Sequence, residues 1–214
     1  GSEMCIRDRY LMRHGQTMFN EQKRIQGWCD SPLTELGKRQ ALAAAQYFKD
    51  QGIQFDHAYS STSERCCDTL ELVTDMPYTR LKGLKEVFYG QLEAESERLA
   101  CKDPERAVTY YLQFGGESTD QVRDRMTETL TEIMEKGDHY SVLAVSHGGA
   151  CFNFLKGVQD PSEELKKGSL AYQNGKNLQY EGELKWNENG DYSGVFICSG
   201  ILIPICRYVD LLAD

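Results

Sequence analysis

Four consecutive apolar residues, Val142 to Val145, lead directly into Ser146-His147-Gly148-Gly149. A strand without polar alternation must be buried on both faces, and a parallel sheet covered by helices provides that environment. Neighbouring stretches agree. Tyr10 to Met12 reads as the end of a first strand and Phe55 to Ser60 as another. Between them Thr34 is the expected N-cap of a helix that runs to about Asp50 before Gly52, with Ala41, Leu42, Ala45 and Phe48 on one face. A helix after Ser60 places Cys66, Thr69, Leu70 and Val73 together. Asp103 before Pro104 marks another helix start, because proline fits the first helical turn. Ser118 or Thr119 opens a longer helix with Val122, Met126, Leu130 and Ile133 inward. This β-then-α order predicts an α/β fold of three layers, α/β/α, around a mostly parallel central sheet. From about Gly168 onward, Gly, Asn and Tyr alternate with short apolar pieces, which predicts strands or hairpins at a sheet edge.

Composition narrows the function. The 214 residues are 40% hydrophobic, enough to fill a core, and no repeat or linker divides them, so a single domain over residues 1–214 is expected. With 24 Lys and Arg against 33 Asp and Glu, the net charge is -9, and no basic run offers nucleic acid a face. The apolar stretch Val195 to Cys206 is shorter than the roughly 18–20 residues that span a bilayer, and Ser199, Gly200 and Pro204 interrupt it. The N-terminus shows no basic segment followed by an apolar run, which predicts a cytoplasmic protein. The 8 cysteines are irregularly spaced and include no C-x-x-C pair, so reduced, mostly buried thiols are expected; a strained Cys66–Cys67 disulfide is the lesser reading. The 4 histidines do not sit at ligand spacing from a cysteine pair, and neither metal nor cofactor is expected.

Two places share one pattern: a strand ends and His-Gly follows, at Arg13-His14-Gly15 and Ser146-His147-Gly148. Ligands of parallel α/β sheets bind beyond the carboxyl ends of the strands, so both histidines are predicted to reach one crevice. Glycine after each lets the chain turn and is expected to leave amide N–H groups open to a ligand. A helix beginning after His147 would aim its positive end at an anion. Arg65, in the first turn after the second strand, falls on the same edge.

Arg13-His14-Gly15-Gln16-Thr17, Asn20, Gln26-Gly27, Ser31 to Gly37, Ser60 to Arg65, Leu84 to Gly90, Gly115 to Ser118 and Ser146 to Gly149 together resemble the histidine phosphatase superfamily, in its phosphoglycerate mutase-like branch. The likeness covers roughly residues 10–156, in family order. It implies a phosphoglycerate mutase-like fold and a metal-independent phosphatase acting on phosphate monoesters of small metabolites. His14 would attack phosphorus through Nε2 and carry a phosphohistidine, with its other nitrogen held by a backbone carbonyl. Arg13 and Arg65 would grip phosphate oxygens, His147 would stabilise transition-state charge, and Glu86 would protonate the leaving oxygen. Gly15, Asn20, Gln26, Gly27, Tyr89 and Gly148 would line the substrate pocket.

Glu93, Glu95 and Glu97 stand near Glu86 in sequence and are read as solvated helix positions, while Arg125 is expected in a structural ion pair. The resemblance also admits a phosphoglycerate mutase or a low-turnover phospholigand binder. The stretch Glu93 to Gln113 is short and mixed in charge, which favours a phosphatase with an open pocket. The resemblance fails at two places: Arg7-Asp8-Arg9, where the family places a buried strand, and the segment after Lys156.

Overall fold

The computed structural model describes residues 8–158 and two short strands beyond them. In chain order these are β1 (Asp8–Arg13), α1 (Met18–Glu21), α2 (Glu35–Asp50), β2 (His57–Ser61), α3 (Glu64–Val73), β3 (Thr79–Leu81), α4 (Pro104–Tyr110), α5 (Thr119–Met134), β4 (Ser141–Ser146), α6 (Gly148–Val158), β5 (Lys185–Trp186) and β6 (Tyr192–Ser193). Strands β1 to β4 form one sheet in the order β1-β4-β2-β3, and every pairing in it is parallel.

The uninterrupted apolar run is the central strand, and its side chains separate two cores. Val142 and Ala144 join Val122, Met126, Leu130 and Ile133 of α5 and Ala150 and Phe154 of α6. Leu143 and Val145 point the other way, toward Ala44 and Phe48 of α2 and Cys66 and Leu70 of α3. The alternation of a strand places successive residues on opposite faces, so one strand anchors both helical layers and the expected α/β/α arrangement results.

Local chemistry sets the helix starts. Thr34 caps α2 by accepting the Gly37 N–H, Asp103 precedes Pro104 at the start of α4, and Ser118 with Gln121 forms a capping box on α5. The buried stripe of α2 differs from expectation: Gly37, Ala41, Ala44 and Phe48 face inward, whereas Leu42 is 52% exposed. Leu42 lies about 100° round the helix from Ala41, and the α3 layer covers only one side.

Strand β1 begins at Asp8, opposite Ser141, so the charged residues Asp8 and Arg9 do lie in a strand. Strand β1 ends the described sheet and pairs along one side only. Strand β2 starts at His57 rather than Phe55, and Phe55 instead packs its ring edge-on against Tyr10 and Phe48. β3 had no sequence signal. β5 and β6 pair antiparallel as a separate sheet rather than extending the edge of the main one. The remainder of the chain from residue 159, with Gly200 to Cys206, lies outside the described residues, as does Arg7. Cys66, Cys67 and Cys151 are buried free thiols, and Cys29 and Cys101 are half-buried and free. Among the described residues no helix is long and apolar enough to cross a membrane.

Because Leu143 is fully buried between the layers, Leu143→Ala should lower the urea-unfolding free energy by about 2–5 kcal/mol. Leu42→Ala should change it by less than about 0.5 kcal/mol. Equal losses would contradict this core.

Candidate active site

The register of β1 on β4 places Arg13 opposite Ser146, so the residues that follow, His14 and His147, emerge side by side at the carboxyl edge. The His14 N–H donates to the Ser146 carbonyl at 3.0 Å, which ties the two strand ends together. The imidazole centroids are 5.2 Å apart, with planes inclined at 67°. His14 and His147 are buried, at 4% and 0% exposure.

Arg65 lies between them. Its Nε donates to His14 Nε2 at 3.2 Å and its Nη2 to His147 Nδ1 at 2.8 Å. Nη2 also donates to the Gly27 carbonyl at 2.7 Å, and Nη1 to the Cys29 carbonyl and Asp30 Oδ1, both at 2.9 Å. All five N–H groups of this buried guanidinium therefore have acceptors. Arg65 is expected to grip phosphate oxygens; in this structure each N–H of its fork has a protein acceptor, and it organises the two imidazoles and the Gly27–Asp30 loop.

These contacts fix the tautomers. His14 Nδ1 lies 2.7 Å from the Gly15 carbonyl, which can only accept, so Nδ1 carries the proton and Nε2 keeps its lone pair. His147 accepts from Arg65 at Nδ1 and donates from Nε2 to Ser61 Oγ at 2.8 Å. Burial, then Arg65 and Arg13, push the His14 pKa well below the ordinary imidazole value. Burial, then Arg65 and His14, do the same to His147.

Arg13, 8% exposed, lies against the first turn of α6: a Cβ added to Gly148 would stand 3.2 Å from its Nε, so the absent side chain makes room for the guanidinium. Glu86 is buried at the same helix end. Oε1 accepts the N–H groups of Val87 at 2.8 Å and Ala150 at 2.7 Å, and Oε2 accepts that of Gly149 at 2.9 Å. The anion at the positive end of α6 is thus the protein's own carboxylate. This corrects the expectation of open amides: those of Gly149 and Ala150 go to Glu86, and the Gly15 N–H donates to Thr69 Oγ1 at 3.0 Å. Arg125 holds the Glu86 segment from behind, pairing with Glu117 at 2.9 Å and donating to the carbonyls of Gly83, Lys85 and Glu86.

The other predicted pocket residues are less directly placed. Gly27 packs so closely on the Val87 carbonyl and Glu93 that any Cβ would collide with both. Asn20 Oδ1 accepts from the Thr17 backbone, completing the cap of α1. Gln26 bridges Thr17 Oγ1 at 2.6 Å and Ser31 Oγ at 2.9 Å. Tyr89 packs its ring 4.7 Å from that of Tyr111, and burial and Glu86 push its phenol pKa up.

A family description, the histidine phosphatase superfamily (branch 1), matches residues 9–186. The chain belongs to that superfamily. The match extends beyond Lys156, where the sequence motifs had given out. The broad-specificity phosphatase YOR283W of Saccharomyces cerevisiae is 30% identical over 171 residues, covering 74% of this chain and 73% of its own. The structure of Bacillus stearothermophilus YhfR is similar at a TM-score of 0.64 and 30% identity, over 71% of this chain and 79% of that one. A phosphoglycerate mutase from Bacillus anthracis superposes at 0.63 with 26% identity, over 72% and 80%. The fold is phosphoglycerate mutase-like, and the chain is an enzyme of the histidine phosphatase type.

In this member of the superfamily several residues do work that the sequence did not disclose. Asp30 neutralises Arg65, and Ser61 holds His147. Glu93, read as solvated, instead accepts the backbone N–H groups of Gly27, Trp28, Cys29 and Tyr89 at 2.9–3.2 Å and so ties the Arg65-binding loop to the Glu86 segment. Asp30 and Ser61 lay in or beside the motif blocks; nothing local to Glu93 distinguished it from Glu95 and Glu97.

The depressed histidines have a consequence for stability. Unfolded chain takes up imidazole protons near pH 6.5, whereas the folded protein resists them to lower pH. Their contribution is full above that value and is lost as pH falls below it toward the folded pKa values. Urea unfolding should show stability declining from about pH 7 to about pH 5.5, with both rings neutral by NMR in the folded protein. Protonation of either ring near pH 6.5 in the folded state would contradict the geometry.

Proposed function

We propose that the chain hydrolyses phosphate monoesters of small metabolites, without a metal, through a phosphohistidine on His14. The observation that carries this reading is the His14 tautomer: Nδ1–H is held by the Gly15 carbonyl, so a neutral Nε2 lone pair is directed into a cationic site.

An incoming phosphate dianion offers oxygen acceptors to the Arg65 Nε–H that now rests on His14 Nε2, freeing that lone pair as the anion arrives. Arg13 adds the second positive charge. His14 Nε2 forms the bond to phosphorus as the ester P–O bond breaks in line; Arg65 stabilises charge on the equatorial oxygens, joined by His147 as its Nε2–H passes from Ser61 to an oxygen of the anion. Glu86 supplies the proton that the leaving alkoxide takes. Oε1 already accepts two N–H groups and Oε2 one, so Oε2 has the remaining lone-pair direction for that proton. Water then attacks phosphorus, the P–N bond breaks, and Glu86 recovers the proton. In this reading Gly15, Asn20, Gln26, Gly27, Tyr89 and Gly148 shape the pocket.

A mutase must retain the phosphoryl group and return it to a second hydroxyl. The basic residues of the Glu93–Gln113 stretch, Arg98, Lys102 and Arg106, are exposed rather than gathered with the histidines, which supports hydrolysis. The partner proposed is a small phosphorylated metabolite, with no nucleic acid and no membrane.

With p-nitrophenyl phosphate in EDTA, the protein should release phosphate and His14→Ala should reduce release by more than about 10³-fold. Glu86→Gln should slow alkyl phosphates by about 10²–10⁴-fold and the activated aryl ester far less. Equal losses for both esters would remove Glu86 from the acid role, and phosphoryl exchange faster than hydrolysis would point to a mutase. Binding of phosphate esters with no release would leave only a binding protein.

A further inference from the structure

Trp28 joins the Arg65 loop to the segment that carries Glu86. The carbonyls on either side of it, of Gly27 and Cys29, accept from Arg65 Nη2 and Nη1. Its indole N–H donates to the Glu86 carbonyl at 3.0 Å, and its backbone N–H donates to Glu93 at 2.9 Å. Phe88 packs on the indole with ring centroids 4.9 Å apart. The half-buried ring is therefore held in one orientation between the guanidinium and the carboxyl group.

Two ammonium groups lie over that ring. Lys82 Nζ is 5.2 Å and Lys85 Nζ 4.9 Å from the indole centroid. Among the described residues neither lysine has a carboxylate at ion-pair distance. The carboxylates whose charge reaches Lys85 are Asp30 and Glu93, and both are engaged elsewhere. Asp30 accepts from Arg65 and from the backbone of Ser31 and Glu64, and Glu93 accepts four backbone N–H groups. Burial, then Arg65, lower the Lys85 pKa, so this ammonium shares one region of positive potential with the guanidinium. An aromatic face attracts an ammonium through its quadrupole and leaves the N–H groups turned away from the ring to a ligand. Like charges gathered on one ring repel unless an anion joins them.

We infer that Lys82 and Lys85, seated over Trp28, bind a second anionic group on the leaving-group side of the substrate. The inference rests on the phosphatase reading of this site and narrows it. Preferred esters are phosphorylated hydroxy acids or small bisphosphates, which carry further negative charge close to the reacting phosphorus, rather than monophosphates of neutral alcohols. Carboxylate and phosphate share the recognised feature, an oxyanion that accepts from an ammonium group. Lys85, half-buried and directly before Glu86, is placed for an anionic group next to the leaving oxygen, and the exposed Lys82 for its outer oxygens. Both determine specificity and take no part in proton or phosphoryl transfer, so their effect falls on KM more than on kcat.

Four esters of similar size test the inference. Phosphoglycolate carries a carboxylate, 1,2-ethanediol bisphosphate a second phosphate, ethyl phosphate no further charge and phosphoethanolamine an ammonium. The better anionic ester should exceed ethyl phosphate in kcat/KM by at least about tenfold, chiefly through KM, with phosphoethanolamine lowest. Which anionic ester leads names carboxylate or phosphate as the group recognised. Lys82→Gln and Lys85→Gln should each reduce the anionic-to-ethyl ratio by at least about threefold, and together should bring it near unity, whereas Lys85→Arg should keep most of it. Calorimetry with the non-hydrolysable pairs 3-phosphonopropionate and 1,3-propylenediphosphonate against propylphosphonate reads the same preference as affinity. Absence of turnover for every ester would thus end the phosphatase reading while binding still decides this one. Equal affinity for anionic and neutral phosphonates in the parent, or a preference undiminished by Lys82→Gln with Lys85→Gln, would overturn the assignment.

Discussion

The buried guanidinium of Arg65 is the interaction on which the site depends. Removing such a charge from water costs several kcal/mol unless it is paired and fully hydrogen-bonded. Asp30 provides the countercharge, while two loop carbonyls and two imidazole nitrogens receive the other N–H groups. The same contacts that make the charge tolerable determine where both histidines point and keep them neutral. Loss of any partner would leave a buried donor unsatisfied, so loop, helix α3 and the two strand ends are mutually dependent.

The sheet supplies the frame. Parallel pairing of β1, β4 and β2 delivers His14, His147 and Ser61 to one edge, while the alternating faces of β4 hold the helical layers that support them. At the start of α6 the positive helix end holds Glu86, which places a carboxyl group beside a site otherwise dominated by arginine. Positive charge is therefore local in a chain whose net charge is -9. That contrast is the basis for proposing a small anion rather than an extended polyanion as substrate.

Much of this was legible in the sequence because it is local. Thr34, Asp103 and Ser118 cap helices through atoms three residues away or fewer, and the Val142–Val145 run identifies the central strand from its own composition. The two His-Gly strand ends indicated one crevice once a parallel sheet was inferred. What escaped depends on distant partners. Glu93 is distinguished from Glu95 only by reaching back to the Gly27–Cys29 amides, and the Gly15 amide is consumed by Thr69, more than fifty positions on. Leu42 lost its expected burial to Ala44 because the position of α3, not the apolar pattern, selects the covered side. His57 and His139 are far apart along the chain and stack on each other only through the register of β2 with β4.

The central claim is that the His14 Nε2 lone pair accepts the phosphoryl group. Rapid mixing of the protein with a phosphate monoester, an alkaline quench that preserves the P–N bond, and peptide mass spectrometry test it directly. The account predicts an acid-labile phosphoryl group on the peptide containing His14, formed within one turnover, absent from His14→Ala and bonded at Nε2. Turnover with no phosphorylated histidine, or the phosphoryl group on His147, would contradict it.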